Sequence, residues 1–501
     1  MNESVTIIGG GLGGLICGAI LGKEGYRVRV LERHRVAGGG LHMFMRDGIS
    51  FETGLHYIGG FEQGGMLRQL FTYLGIMDEM KYKNLEEDAF DVLYINSDGK
   101  QYHFGKGKEH FIEVLSSQFP EEEKAIRGYI NAIYDICEKV PFNRFKMPDQ
   151  ALLMHTFSGY DISIDEFISS FTSNPKLQAV LAWNSTMYNG RKGETPVFVA
   201  ALTTKMYIEG AARLIGGGEQ IARALSGVIV NNGGEILVNK EVTDITIDNG
   251  KVRSVTTSDG ERYSSDIFIS SIHPRKMVDI STQGAFSKAF RVRVDSIRSS
   301  DSAFTIFVEL KKKSFPYLNY SVLYYDDYSD ILSGVSSNDG DFPRQMIVMT
   351  LPETYDDVWA RKMIILCPML YETVSKWENS SVGHRGDDYL KFKNNCCDKV
   401  MKKLKTIYPD IDNAIDKYFS ASPLTIRDYL GSPDGAIYGR IFDCKEYEIS
   451  YMSPKTKIAN LYLTGQNVRL HGICGVPMTA LETCSYIIGM QQLINKINSR
   501  N

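Results

Sequence analysis

The hydrophobic positions change period repeatedly along this chain, and each change marks an element. Val5-Thr6-Ile7-Ile8 is a short continuous apolar run, the length of a buried strand, and it stops at Gly9-Gly10-Gly11-Leu12-Gly13-Gly14. Beyond the glycines Leu15, Ile16, Ala19 and Ile20 recur at helical spacing, and 27–31 returns to a strand pattern that ends at Glu32. The same reading predicts a helix over 219–231, strands over 235–239, 241–247 and 251–257 with Asn249-Gly250 as a hairpin turn, and a buried strand over 267–271. Residues 51–59 read as a short strand ending in a Gly-rich turn, and 66–205 as mostly helical, with Pro120 before a helix opened by Glu121-Glu122-Glu123-Lys124. Strand-like runs follow at 303–310, 346–350 and 363–366. A long helix over 388–406 is broken by Pro409-Asp410, a strand covers 460–464, and a helix runs from about 478 to 494.

The first forty residues carry chemistry as well as pattern. Gly9, Gly11 and Gly14 have Gly-x-Gly-x-x-Gly spacing between a strand and a helix, with the acid Glu32 about 20 residues on. Gly9 permits the tight turn, Gly11 lets a pyrophosphate approach the backbone, and Gly14 lets helix and strand pack closely. The helix N-terminus offers free N–H groups to phosphates, and Glu32 can accept the ribose hydroxyls. A second cluster, Gly38-Gly39-Gly40, turns the chain back toward the same place. The candidate contacts here are Gly9, Gly11, Leu12, Gly13, Gly14, Glu32, Arg33, Gly38, Gly39, Gly40 and Leu41.

Composition narrows the setting. At 501 residues the chain has material for two or three domain-sized units, and 43% hydrophobic and 23% charged residues are ordinary for a globular protein. A net charge of −4 gives a nucleic-acid partner no electrostatic support. The eight cysteines form no Cys-x-x-Cys, so neither a metal site nor a disulfide frame is expected, and reduced cytoplasmic thiols are the default. Val5 to Leu21 is apolar, but Met1-Asn2-Glu3-Ser4 before it lacks the Lys or Arg of a signal peptide. No other apolar run approaches membrane-spanning length. The expectation is a cytoplasmic protein that, at most, holds to a membrane surface.

The fingerprint, the Gly38–Gly40 cluster and Phe51-Glu52-Thr53-Gly54-Leu55-His56-Tyr57-Ile58-Gly59 together resemble the flavoprotein group of amine oxidases, phytoene desaturases and Rab GDP-dissociation inhibitors. Leu463-Thr464-Gly465-Gln466-Asn467, Leu470-His471-Gly472-Ile473-Cys474-Gly475-Val476-Pro477, and Thr425 to Leu430 followed by Gly435-Ala436-Ile437-Tyr438-Gly439 are similar to its retinol saturase and carotenoid isomerase branch. The likeness covers both ends and 210–275; it is poor over 61–205 and 290–415, the stretches expected to shape the substrate pocket. It implies an α/β fold: a Rossmann-like FAD-binding domain of the glutathione reductase type, assembled from 1–65, 206–285 and 440–501, with an inserted α+β substrate domain from 66–205 and 286–439. It also implies that the backbone at Val242 meets the adenine, although Val242 alone reads as core. Gly465, Gln466, Asn467, Gly475 and Val476 would border the ribityl chain and flavin ring, with Pro477 in the first turn of the last helix, where its missing N–H costs nothing. Relatives place an acid where this chain has Gln466 and Asn467.

A flavin carries hydride chemistry itself, so the protein need only position a C–C or C=C unit and manage a proton. His56, Tyr57 and His471 adjoin the flavin-binding turns and are the candidate proton-handling groups, against the plainer reading that each hydrogen-bonds backbone. The implied function is an FAD-dependent oxidoreductase that saturates, desaturates or isomerises an apolar polyene or isoprenoid-like lipid, with its electron partner open. Two other functions fit the nucleotide motifs: a flavin amine oxidase, and a non-catalytic lipid-binding protein of the GDP-dissociation-inhibitor type. The intact Glu32, Gly38-Gly39 and C-terminal motif argue against the latter. Two further stretches bear on the substrate. Lys311-Lys312-Lys313, followed by Phe315, Tyr317, Leu318 and Tyr320, would suit an anionic bilayer; a solvated turn before an ordinary strand is the simpler reading. Residues 150–210, with Trp183 and Tyr207, would line an apolar tunnel or simply form core.

Overall fold

The computed structural model describes residues 3–140, 142–143, 145–146, 162–335, 342–446 and 452–500. At one end lies a five-stranded, wholly parallel sheet in the order Leu461–Leu463, Ile267–Ser270, Ser4–Ile8, Arg27–Leu31, Glu235–Leu237. Its strands come from both ends of the chain and from the middle. The helix Leu12–Lys23 packs on it and is itself covered by Gly472–Ile488 and Glu219–Asn231. Covered on all sides, this helix needs no polar face, which is why it is apolar throughout. Glycine lets the layers close up. A Cβ on Gly14 would sit 2.2 Å from the Gly9 carbonyl oxygen, and one on Gly18 2.8 Å from Ile229 Cδ1.

A seven-stranded sheet, in the order Ile415–Ala421, Ser302–Leu310, Lys362–Met369, Gln345–Thr350, Ser321–Tyr325, Asp91–Ile95, Lys100–Phe104, forms the second layer. Only the pairing of Ser321–Tyr325 with Asp91–Ile95 is parallel. Among the described residues, 66–205 is mostly helical as expected, but the hairpin 91–104 interrupts it: Ser97-Asp98-Gly99, with Gly99 at φ 68°, turns one strand onto the other. The helix Val197–Gly210 runs straight through 205–206, where the sequence suggests a boundary between pieces. The Asn249-Gly250 turn joins Val242–Asp248 to Lys251–Thr257 as expected, with both turn residues at positive φ.

Three local expectations are corrected. The strand expected over 51–59 is Ile49–Glu52, paired with Met43–Arg46 through Asp47-Gly48; residues 53–59 run on as a loop in which Ile58 bridges to Ala212. The last helix begins at Gly472, not near 478, so Pro477 lies inside it rather than in its first turn. It ends at Gly489 (φ 98°), where the chain bends by 118° into Met490–Asn498. Phe315 and Leu318 face inward as core and Tyr317 and Tyr320 are half-buried, so this run does not supply the exposed apolar side chains of a docking segment. The part of the expected tunnel before Ile162 lies outside the described residues. No single described helix is long and apolar enough to cross a membrane, and the eight cysteines are free.

Candidate functional site

Ligands of open parallel sheets collect at the carboxyl ends of the strands. At that edge Gly9 (φ 97°) turns the chain out of the first strand, and Gly11 opens the helix Leu12–Lys23 with no side-chain cap, so its first N–H groups are free donors. A Cβ at Gly11 would meet nothing within 4 Å: the backbone there faces open space, and so does Gly40. The residue 33–41 loop lies against this turn. Gly38 N–H donates to the Gly10 carbonyl at 2.7 Å, and Gly39 (φ 57°) comes so close that its Cβ would sit 3.2 Å from Gly11 Cα. Gly38 (φ 141°) adopts a backbone that other residues rarely take. Leu41 is buried beneath the loop, where its side chain meets Gly218.

Glu32 is buried at the end of the second strand, its two carboxylate oxygens accepting Gly10 N–H at 2.7 Å and His34 N–H at 2.8 Å. Each oxygen keeps a lone pair for a further donor. Arg33 turns away: its guanidinium donates to the carbonyls of Asp428 (3.2 Å) and Tyr429 (3.1 Å) near the end of the helix Pro423–Leu430. Val242 starts its strand buried in the cluster that holds Ile8, Leu31 and Leu463, against the same sheet edge. His42, directly after the Gly triplet, stands out only in three dimensions. Its Nε2 is buried without a partner, and burial lowers its pKa.

The far end of the chain closes on this turn. Gly465 (φ 100°) follows the strand Leu461–Leu463, and a Cβ on Gly13 would lie 3.2 Å from Gly465 Cα and 3.3 Å from Val476 Cγ1. Gly475 is equally enclosed: a Cβ there would be 2.5 Å from Leu470 Cβ. Gln466 and Asn467 border Gly439, whose Cβ would lie 2.8 Å from Gln466 Cγ and 3.0 Å from Asn467 Oδ1. Ser270 Oγ and Thr464 Oγ1, at the carboxyl ends of neighbouring strands, are buried with no hydrogen-bond partner. An open glycine backbone, a free helix start, a buried acid with acceptor capacity and two orphaned hydroxyls along one sheet edge are the donor set an FAD requires, so the residues present fit that group.

Next to this edge the structure gathers aromatic side chains from four parts of the chain. The Tyr57 ring lies 4.3 Å from that of Tyr207, and its hydroxyl meets the Met187 sulfur. Tyr438 lies 4.9 Å from the His471 ring, and the Met187 backbone bonds His471. Burial drives the Tyr57 and Tyr207 phenols far above their usual pKa and lowers His471 to about 4, leaving its Nδ1 unpartnered. All of these rings are therefore neutral near pH 7. His56 does not join them. Its Nδ1 sits 3.6 Å from Glu52 Oε2, beyond hydrogen-bond reach, and both atoms are buried without partners.

Behind the tyrosines is a buried polar set that the sequence does not reveal. Asp91 Oδ2 accepts the Trp183 indole N–H at 3.1 Å, and burial raises the carboxyl to about 8. Arg213, fully buried, donates to Leu318 O (2.7 Å), Tyr320 O (3.0 Å) and Ser321 Oγ (3.0 Å). Its charge opposes the rise at Asp91. Residues 91, 183 and 213 share no sequence motif; only the pairing of Asp91 with Ser321 in the large sheet brings them together.

A glycine-turned parallel sheet with a free helix start, a buried acid with free acceptor capacity and a neutral aromatic cluster fits the class: this is an FAD-dependent oxidoreductase. The chain belongs to the flavin containing amine oxidoreductase family, whose profile matches residues 12–488. It is 27% identical over 540 residues to the all-trans-retinol 13,14-reductase of Homo sapiens, covering 97% of this chain and 85% of that protein. It is 25% identical to the 1-hydroxycarotenoid 3,4-desaturase of Flavobacterium sp. (strain P99-3), covering 96% and 97% respectively. The fold matches the crystal structure of an oxidoreductase from Methanosarcina mazei with a TM-score of 0.64 at 17% identity, covering 96% of this chain and 100% of that one.

Proposed function

We propose that this FAD-dependent enzyme saturates, desaturates or isomerises C=C bonds of an apolar polyene or isoprenoid-like lipid held against the aromatic cluster. The observation that carries this reading is the cluster's neutrality: Tyr57, Tyr207, Tyr438, Met187 and an uncharged His471 form it, while the charged Arg213 is turned to carbonyls behind it. A conjugated chain has no charge to pair and a flat π face to stack, and such a lining suits both. The relatives named for retinol and carotenoid chemistry support the substrate class.

FAD, when bound, supplies a hydride acceptor and donor; everything else falls to the chain. The Gly9–Gly14 turn and Glu32 bind its adenosine and pyrophosphate half, and the Gly465 turn with Val476 borders its ring. Tyr57 and Tyr207, packed ring against ring, offer the polyene one aromatic wall that orients it. The Tyr57 hydroxyl stays protonated across the working range and is the candidate donor to a carbon beside the one that takes the hydride; its raised pKa opposes that transfer, so the developing carbanion must be the stronger base, and the phenolate regains its proton from solvent as product leaves. The closed packing keeps bulk water from the site.

The test is anaerobic. The bound flavin is bleached by a reductant and then mixed with conjugated polyenes, mono-unsaturated lipids and a panel of amines. Reoxidation by conjugated polyenes in detergent supports the reading. Failure of every polyene to reoxidise the reduced flavin, to bleach the oxidised flavin or to change in isomer pattern overturns it, and peroxide release on amines under air favours an amine oxidase instead.

A further inference from the structure

The chain carries a surface that no part of the site uses. Tyr355, Val358 and Trp359 are 55%, 69% and 43% exposed on a single loop. The loop is not free-hanging. Tyr317 N–H donates to Val358 O at 2.9 Å, Ala360 N–H donates to Phe315 O at 2.9 Å, and Trp359 bridges to Pro316. Its apolar tip is thus fastened to the segment that begins Lys311-Lys312-Lys313, and all three lysines are exposed.

Basic charge gathers round that junction. Lys311 Nζ holds the Asn413 carbonyl at 2.9 Å, which brings the triplet next to Asp412 and the Lys405 paired with it. Lys83 lies 4.6 Å over the Tyr317 ring. The loop also carries acids that temper this charge: Asp357, whose carboxylate accepts the N–H groups of residues 353 and 354 and stays ionised, Glu353, 3.8 Å from Lys362, and the exposed Asp356. The same segment leads inward: Leu318 O and Tyr320 O hold Arg213, directly behind the aromatic cluster.

We propose that this face docks the enzyme on an anionic lipid bilayer. Lys311, Lys312 and Lys313 would bind headgroup phosphates, and Tyr355, Val358 and Trp359 would enter the interfacial layer. Three exposed apolar side chains on a loop tied to the segment behind a lysine triplet match the two-part attraction of such a surface: apolar burial and charge. Aromatic side chains with a polar edge favour that depth. The inference rests on the proposed lipid substrate only for its purpose, namely taking an apolar compound from the membrane that dissolves it.

The experiment uses the full-length flavin-loaded protein and sedimentation with vesicles of phosphatidylcholine alone or mixed with phosphatidylglycerol. Binding to the mixed vesicles, weakened by salt, is expected. Each basic residue at an anionic surface is worth roughly fivefold, so K311E/K312E/K313E should cut binding by about a hundredfold with flavin content unchanged. Of the three tryptophans, Trp183 is fully buried and Trp377 is half-buried against Tyr389 and Phe392, so vesicles should shift chiefly the emission of exposed Trp359 to the blue, and W359F should abolish the shift. No binding to anionic vesicles, binding untouched by the triple reversal, or a blue shift that survives W359F overturns the proposal. So does capture of a protein through the same lysines without vesicle binding. Turnover is not read here, so a failure leaves the polyene reoxidation test intact, and the reverse holds too.

Discussion

Gly13 and Gly465 meet almost backbone to backbone: a methyl on Gly13 would stand 3.2 Å from both the nitrogen and Cα of Gly465. One opens the first helix and the other closes the last strand of the sheet. Their contact joins the fingerprint to the C-terminal motif, so the cofactor site exists only when both ends of the chain are folded together. Gly13→Ala should therefore disturb flavin retention more than stability. Pushing the Gly465 turn back by a few tenths of an ångström misplaces the border of the ring. The ratio of flavin to protein absorbance in the purified variant should fall severalfold while its melting temperature moves little; full flavin content would count against the junction.

Glu32 provides a second check. Glu32→Ala leaves the N–H groups of Gly10 and His34 unsatisfied and removes the acceptor proposed for the ribose. Loss of a charge-assisted hydrogen bond costs ~1.5–3 kcal/mol, so FAD affinity should fall by roughly ten- to a hundredfold. Fluorescence titration of the stripped protein with FAD measures it.

Tyr57 and Tyr207 separate orientation from proton transfer. Tyr207→Ala removes the ring at 4.3 Å and should raise KM for the polyene by about tenfold, with the flavin spectrum unchanged. Tyr57→Phe keeps the stack and loses the hydroxyl. Reoxidation should then slow by ~10²-fold or more at saturating polyene, because only the proton donor is gone. An unchanged rate in Tyr57→Phe would remove it from the chemistry.

The pH dependence of stability has two arms of known sign. Asp91 is raised to about 8 in the fold, so the native state keeps a proton that the unfolded chain has lost. Stability then falls as pH rises from the ordinary carboxyl range toward 8, on the order of a few kcal/mol in all. Asp91→Asn keeps an acceptor for Trp183 and should flatten that arm in a series of melting temperatures. His471 and His273 are both lowered to about 4 by burial. The unfolded chain protonates them first, so stability is full above the ordinary histidine pKa and is lost as pH falls through 6.5 toward 4.

The parts of this molecule that were legible in sequence are those in which glycine brings backbones together. Gly9, Gly11 and Gly14 announce their turn by spacing alone, and Asn249-Gly250 announces its hairpin. The sequence places the start of the C-terminal helix near 478 because Gly472, Gly475 and Pro477 are poor helix formers, whereas buried neighbours carry the helix through them from Gly472. The strand Asp91–Ile95 does not show in the sequence, because an acid opens it and a buried acid has no sequence signature. Asp91, Trp183 and Arg213 become a set only through the pairing of Ser321–Tyr325 with that strand. Met187 and Tyr438 reach the site in the same way, from stretches where period speaks of core and nothing of chemistry.

The most direct measurement is a crystal structure of the flavin-loaded protein. The account predicts ribose hydroxyls at hydrogen-bond distance, about 2.7 Å, from the Glu32 carboxylate, and an isoalloxazine ring bordered by Gly465 and Val476 with one face toward Tyr57 and Tyr207. A ribose far from Glu32, or a ring turned away from those tyrosines, would contradict it.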